Sequence, residues 1–392
     1  MRVLHIGKYY PPFEGGIENF LGDLLPALKN KGLDVAAVVH DHSFRLKGYY
    51  GEKQSFDVYR VPTLGTFMYA PVSPGFPFVL RRVISRFKPD LLHIHMPNTS
   101  AFWVMALSCA RRIPWIIHWH SDVVPSLIDQ RMTFFYSLYK PLERCLLKHS
   151  SVIISTSAPY LNSSKALSAW RNKCRVIELG MDPGRLKLPG KQLISWAEGM
   201  WKEKMIRVLA IGRLTYYKGH DILIKAASKT PEISVIIVGK GDRKKELEAH
   251  ISELAIGERV SLPGSLSGDR LHALLASCDF LCLPSVERTE AFGLVLLEAM
   301  RFGKPVVASD IRGSGIGWVV RHNETGLLVN PGDINDLANA LQVMGKNAEM
   351  RKNMGKAAFE RFNRVFQIDS IGEKVLAVYR DFSKGEVSSE NR

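Results

Sequence analysis

Apolar residues follow two rhythms along this chain of 392 residues. Val3–Gly7, Val35–Val39, Leu91–His95, Trp115–His118 and Val152–Thr156 are short, nearly unbroken apolar runs, the pattern of strands buried on both faces. Between the first two, Ile17, Phe20, Leu21, Leu24, Leu25 and Leu28 recur at helical spacing, and further helical stretches lie near 99–112 and 130–148. Strands alternating with helices predict βαβ units and a parallel sheet. Pro183, Gly184, Pro189, Gly190 and Gly199 interrupt the rhythm, so 183–204 reads as a linker. The alternation restarts with strands at Val208–Gly212, Val235–Gly239, Arg259–Leu262, Phe280–Pro284 and Val306–Ser309, and helices at 219–229, 243–255, 269–277 and 293–302. A helical tail at 349–383 and a polar, frayed end at 384–392 close the pattern. The expectation is an α/β protein with two doubly wound parallel-sheet domains, 1–182 and 205–365, followed by a helix and tail at 366–392.

Composition narrows the class. Hydrophobic residues make up 46% of the chain, enough for two globular cores of roughly 180 residues each. No apolar run approaches the roughly 18–20 residues that cross a bilayer. The start passes directly into a strand, without the apolar core and cleavage site of a signal peptide, so a cytoplasmic location is expected. Cys109, Cys145, Cys174, Cys278 and Cys282 are odd in number and lack metal-type spacing, which predicts reduced thiols.

The chain holds 53 Lys and Arg against 38 Asp and Glu, a net +15, which calls for an anionic partner or surface. No nucleic-acid-binding module is present, so nucleic acid is not expected. Residues 1–182 carry 22 of the basic residues and 13 of the acidic ones. Within them, Phe76, Phe78, Val79 and Leu80 precede Arg81, Arg82, Arg86 and Lys88. A helix there is either an interfacial helix on an anionic membrane or an ordinary amphipathic helix packed on a sheet.

The chemistry concentrates in the second half. Glu290 and Glu298 bracket Ala-Phe-Gly-Leu-Val-Leu-Leu, a glycine turn flowing into an apolar helix. Carboxylates so placed accept hydrogen bonds from hydroxyls, and the free N–H groups of Phe292, Gly293 and Leu294 suit an anion or a polyol. Glu298 alone reads as a solvated helix carboxylate; its neighbours change that reading. Arg213 and Lys218, in Gly212-Arg213-Leu214-Thr215-Tyr216-Tyr217-Lys218-Gly219, supply cations for phosphate. Together these groups describe a sugar nucleotide site. Gly15 and Gly16, between the first strand and a helix, let backbone approach a ligand or simply make a turn. His118 and His120 lie two apart on a strand, on one face, with no third metal ligand evident.

These residues, with Tyr10-Pro11-Pro12-Phe13-Glu14-Gly15-Gly16-Ile17-Glu18, His118-Trp119-His120-Ser121-Asp122, Gly180-Met181-Asp182 and Glu324-Thr325-Gly326-Leu327-Leu328-Val329, give the chain a pattern that resembles the family-4 glycosyltransferases of the GT-B fold. The resemblance implies two Rossmann-like domains facing across a cleft. It also implies retaining transfer of a hexose-type sugar from a nucleotide diphosphate donor to a glycan, lipid-linked acceptor in cell-surface polysaccharide synthesis of the lipopolysaccharide kind. No cofactor and no metal are expected, and the enzyme would sit peripherally on the inner membrane face. By the resemblance, Arg213 and Lys218 bind the diphosphate, Glu290 the sugar hydroxyls and Glu298 the ribose. Phe292, Gly293 and Leu294 offer backbone contacts, Gly15 and Gly16 meet the donor phosphates, and His120 serves the transferred sugar. Asp122 holds either the histidine or the acceptor. The loop Arg312-Gly313-Ser314-Gly315-Ile316-Gly317-Trp318 lacks the Glu that many relatives carry, which leaves the donor sugar open. A GT-B sugar nucleotide epimerase or hydrolase, or a non-catalytic sugar nucleotide-binding protein, are the alternatives.

Overall fold

The computed structural model describes residues 1–42, 50–53, 55–67, 70–123, 130–266 and 268–383. The tail expected at 384–392 lies outside the described residues. The chain divides into two compact units, Met1–Met181 with Ile368–Arg392, and Asp182–Gln367.

The first unit is built on eight strands: β1 (Arg2–Ile6), β2 (Asp34–His40), β3 (Tyr50–Lys53), β4 (Asp57–Val61), then, after a small hairpin of β5 (Gly65–Phe67) and β6 (Ala70–Val72), β7 (Leu91–Met96), β8 (Trp115–Trp119), β9 (Val152–Ser155) and β10 (Cys174–Val176). Their spatial order is β10-β9-β8-β7-β1-β2-β4-β3. All pairings are parallel except β3 with β4, which is antiparallel at the edge. The central strands are buried on both faces, which is why they read as apolar runs rather than alternating ones. Helix Gly16–Asn30 lays Phe20, Leu21, Leu24, Leu25 and Leu28 into the core, the stripe the spacing predicted.

The second unit carries β11 (Ile206–Ile211), β12 (Ile233–Val238), β13 (Val260–Gly264), β14 (Phe280–Leu283), β15 (Val306–Ser309) and β16 (Gly326–Val329), all parallel in the order β13-β12-β11-β14-β15-β16. Order reverses at β11, whose neighbours are β12 and β14, so the switch point of the sheet lies between β11 and β14.

Three expectations are corrected. The stretch 183–204 is not a bare linker but part of the second unit. Helix Lys191–Glu198 packs beside helix Gly268–Ser277, the Trp201 indole donates to Ser277 Oγ at 3.0 Å, and Arg270 lies over the Trp196 ring. The helix expected near 99–112 is three short pieces, because Leu107 takes an extended backbone between Trp103–Ala106 and Ser108–Arg111. The helical tail is two helices, Ala348–Val365 and Ile368–Ser383. The chain leaves the second unit between them, and the Ile368 N–H donates to the Met181 carbonyl. The last helix then packs on helix Gly16–Asn30, tied by Lys31 to Glu373 at 2.7 Å and by Lys374 to Glu178 at 2.8 Å.

Candidate active site

The predicted donor-binding residues of the second unit meet at the carboxyl ends of β11 and β14. After β11, Tyr216–Lys218 form one 3-10 turn ended by Gly219, whose φ of +65° is left-handed. A Cβ there would also stand 2.0 Å from the Pro284 carbonyl oxygen, so only glycine lets this turn close against the strand β14 exit. The Val286 N–H donates to the Tyr217 carbonyl at 2.8 Å and fixes the two loops together. Lys218 leans its stem on Gly212 and reaches Glu290 Oε2 at 2.5 Å. Ser285 Oγ donates to the same carboxylate oxygen at 3.1 Å. Burial alone pulls the Lys218 ammonium down, but Glu290 and Tyr217 more than offset it, so its pKa is raised and the charge is held. Arg213 is exposed beside it, with its guanidinium 3.3 Å from the Tyr217 hydroxyl.

The loop after β15 supports Glu290 from behind. Ser314 Oγ donates to the Glu290 carbonyl, and the Gly315 N–H donates to the Ala291 carbonyl at 2.7 Å. The Arg312–Trp318 loop, variant in sequence, therefore braces the backbone at 290–291. Gly293, at φ +79°, caps helix Leu294–Arg301 and turns its first N–H groups away from intrahelical partners. The Phe292 ring is core, edge-on to Phe366, which leaves only its backbone for a ligand. Glu298, on the same helix, is mostly covered and stands 3.8 Å from Arg185 of its own unit. Arg213, Lys218, Glu290, Phe292, Gly293, Leu294 and Glu298 thus belong to one neighbourhood of the second unit.

Two family models match the chain. "Glycosyl transferase 4-like domain" covers residues 15–180, and "Glycosyl transferases group 1" covers 197–361. The chain belongs to the family-4 glycosyltransferases. It is 26% identical to the O-antigen chain mannosyltransferase C of Escherichia coli, over 97% of this chain and 98% of that one. To the D-rhamnosyltransferase WbpZ of Pseudomonas aeruginosa it is 28% identical, over 93% and 92%. The solved structure of HepE from Anabaena with UDP-glucose shares the fold, with a TM-score of 0.75 at 22% identity over 97% of this chain and 100% of that one. The two Rossmann-like units of this glycosyltransferase are those of the GT-B fold.

In the transferase's first unit, His120 follows β8 and is 3% exposed. It stands in a group of five buried histidines with His5, His93, His95 and His118. Sequence spacing singled out His118 and His120 but missed the other three. The signal was present: His5, the pair His93 and His95, and the pair His118 and His120 all fall inside apolar strand runs, where a polar residue needs a reason. Parallel register sets His5 opposite His93, and His95 opposite His118. The expectation that His118 and His120 have no third candidate ligand is corrected: in the triplets His5, His93, His95 and His95, His118, His120, one nitrogen from each ring lies within 4.8 Å of the others. The His118 and His120 rings stack at 4.3 Å with parallel planes, and those of His93 and His95 at 4.6 Å and 12°.

Asp122 accepts from the Trp119 indole at 2.8 Å and from Ser164 Oγ at 2.7 Å. Gly15 and Gly16 begin helix Gly16–Asn30. A Cβ at Gly15 would stand 2.2 Å from a Glu18 carboxylate oxygen, the far end of a flexible side chain that can turn aside. The basic helix is Phe76–Phe87. It buries Phe76, Leu80, Val83 and Ile84, so its apolar stripe serves the core. Its outward face carries Phe78, 75% exposed, with Arg81, Arg82, Ser85 and Arg86 around a shallow hollow.

Proposed function

We propose that this glycosyltransferase moves a hexose-type sugar, with retention, from a nucleotide diphosphate donor to a lipid-linked glycan in cell-surface polysaccharide synthesis. The observation that carries the reading is the Lys218–Glu290 pair at the sheet's switch point. It sets a permanently charged cation and a hydroxyl-accepting carboxylate one hydrogen bond apart. A diphosphate beside a sugar presents the complementary pair of groups. Arg213 and Lys218 take the diphosphate and stabilise the charge that grows on it as it leaves. Glu290 orients the sugar through its hydroxyls, Glu298 takes the nucleotide ribose, and Gly15 and Gly16 approach the donor phosphates. The bond between the anomeric carbon and the phosphate oxygen breaks, the acceptor oxygen bonds on the same face, and the acceptor proton passes to the departing phosphate. Two cations at the diphosphate do the work a divalent metal does elsewhere, so turnover is metal-independent. His120 contacts the transferred sugar. The similarity to an O-antigen chain mannosyltransferase of Escherichia coli, and the excess of basic residues in the first unit, support an acceptor at an anionic membrane surface.

The test is product analysis with a panel of nucleotide sugars, in the presence and absence of membrane extracts rich in lipid-linked glycan. Acceptor-dependent glycoside with the donor's anomeric configuration, read by NMR, is the expected result. Free sugar or epimerised nucleotide sugar formed equally well without acceptor would refute transfer.

A further inference from the structure

Three of the five buried histidines form a hydrogen-bonded chain. His5 Nδ1 lies 3.1 Å from His95 Nε2, and His95 Nδ1 lies 3.0 Å from His120 Nε2. The ring centroids are 5.4 Å apart at 25° in the first pair and 5.3 Å at 16° in the second. Such separations leave room for two ring radii and a nitrogen–nitrogen contact laid end to end. The rings therefore meet edge to edge, with each N–H aimed along its partner's lone pair. The flanking rings close the chain off: His93 stacks on His95, His118 stacks on His120, and Phe20 stands edge-on to His120 at 5.6 Å. All are buried, and hydrogen bonds in such a surrounding are stronger than in water. Both ends are bare of partners: His5 Nε2 at one and His120 Nδ1 at the other.

Proton counting then couples the ends. Three neutral imidazoles carry three ring protons, and the two inter-ring bonds use two of them. The third sits either on His120 Nδ1, leaving His5 Nε2 as a lone pair, or on His5 Nε2, leaving His120 Nδ1 as a lone pair. No neutral arrangement that keeps both bonds protonates both ends or neither. Whether His120 offers the sugar a donor or an acceptor is thus decided together with a nitrogen two rings away.

We propose that His5 and His95 are positioning residues which, through this chain, tie the protonation of His120 Nδ1, for the sugar His120 contacts, to that of His5 Nε2 two rings away. The proposal rests on the reading that His120 serves the transferred sugar, and it adds two residues that touch no substrate.

The experiment is nitrogen-15 histidine NMR on the full chain, which reads the protonation of each ring nitrogen directly, paired with steady-state kinetics. In the unaltered protein His120 Nδ1 and His5 Nε2 are expected to share one proton, so that their protonated fractions add to about one. In His5→Phe and His95→Phe the His120 tautomer ratio is expected to change, with kcat lowered about five- to tenfold, the loss of one or two ordinary hydrogen bonds, and donor KM within about twofold. The first unit's own thermal transition, assigned by limited proteolysis, serves as the check that each variant folds. An unchanged His120 tautomer in both His5→Phe and His95→Phe would overturn the chain whatever happens to activity. A shifted tautomer with unchanged kcat would leave the chain standing and remove His120 from the reaction.

Discussion

Acid should dismantle the first unit before the second. Six histidines of that unit, His5, His40, His93, His95, His118 and His120, are buried. Burial, ahead of any neighbouring charge, holds each below the ordinary imidazole value: about 3 for His95, about 4 for His40, and well below 6.5 for the others. Unfolded, each returns to about 6.5. Below that pH the unfolded chain binds protons the folded chain refuses, so the stability present above pH 6.5 is lost as pH falls toward the folded values. Between pH 7 and pH 6 the six together remove about 4 kcal/mol by this linkage. Glu143 works in the opposite sense. Burial, then Asp122, raises its pKa to about 7, so the folded state takes its proton first and regains about 1 kcal/mol. A net loss of about 3 kcal/mol lowers the melting temperature of a unit this size by about 6–12 °C. By pH 5 the net loss reaches about 9 kcal/mol, most of the roughly 5–15 kcal/mol that holds a domain folded. Among its described residues the second unit has two such groups, His220, lowered to about 3 by burial first and Lys218 next, and His272, lowered by burial first, and loses only about 1 kcal/mol over the first interval. Calorimetry of the full chain from pH 7.5 to 5, with limited proteolysis assigning each transition, measures the difference. If the first unit's transition moves by less than about 3 °C between pH 7 and 6, the histidines accept protons while folded and the reasoning fails. His118→Phe, which replaces a ring whose two nitrogens have no partner, should lessen the pH slope by one group.

Replacing Arg213 or Lys218 by Ala should weaken nucleoside diphosphate binding by roughly 1.5–3 kcal/mol per charge-assisted contact; calorimetric titration showing unchanged affinity in both variants removes the pair from the donor site. Turnover should survive EDTA, and a loss beyond about tenfold that Mg²⁺ or Mn²⁺ restores would show that a metal stabilises the leaving group after all. Liposomes of anionic lipid should bind the protein at low salt, and reversing the charge at Arg81, Arg82, Arg86 and Lys88 should remove about 1 kcal/mol per residue; co-sedimentation indifferent to the reversal would make that face merely solvated.

What sequence revealed and what it hid divide along a physical line. Strands buried on both faces announce themselves as apolar runs, and Glu290, Glu298, Arg213 and Lys218 stand in short motifs legible each in its own segment, although Lys218 and Glu290 meet only because β11 lies beside β14. The stretch 183–204 misled because its prolines and glycines mark turns, whereas its attachment depends on Trp201 and Trp196 meeting partners some 75 residues away in sequence, Ser277 and Arg270. The tail misled because apolar spacing continues across Phe366 and Gln367, while the break between its helices is set by where the chain changes unit. The histidine chain was hidden most deeply. Each member sits singly or in an alternating pair inside its own apolar run, and only the order β8-β7-β1 with its parallel register brings residues 5, 95 and 120 into line. A one-residue slip of β7 against either neighbour would turn His95 to the other face of the sheet and break both bonds. The sheet's register is therefore a chemical specification as well as a packing one: the same pairing that buries Ile94 and Ile117 sets His120 Nε2 against His95 and leaves Nδ1 as the end of the chain.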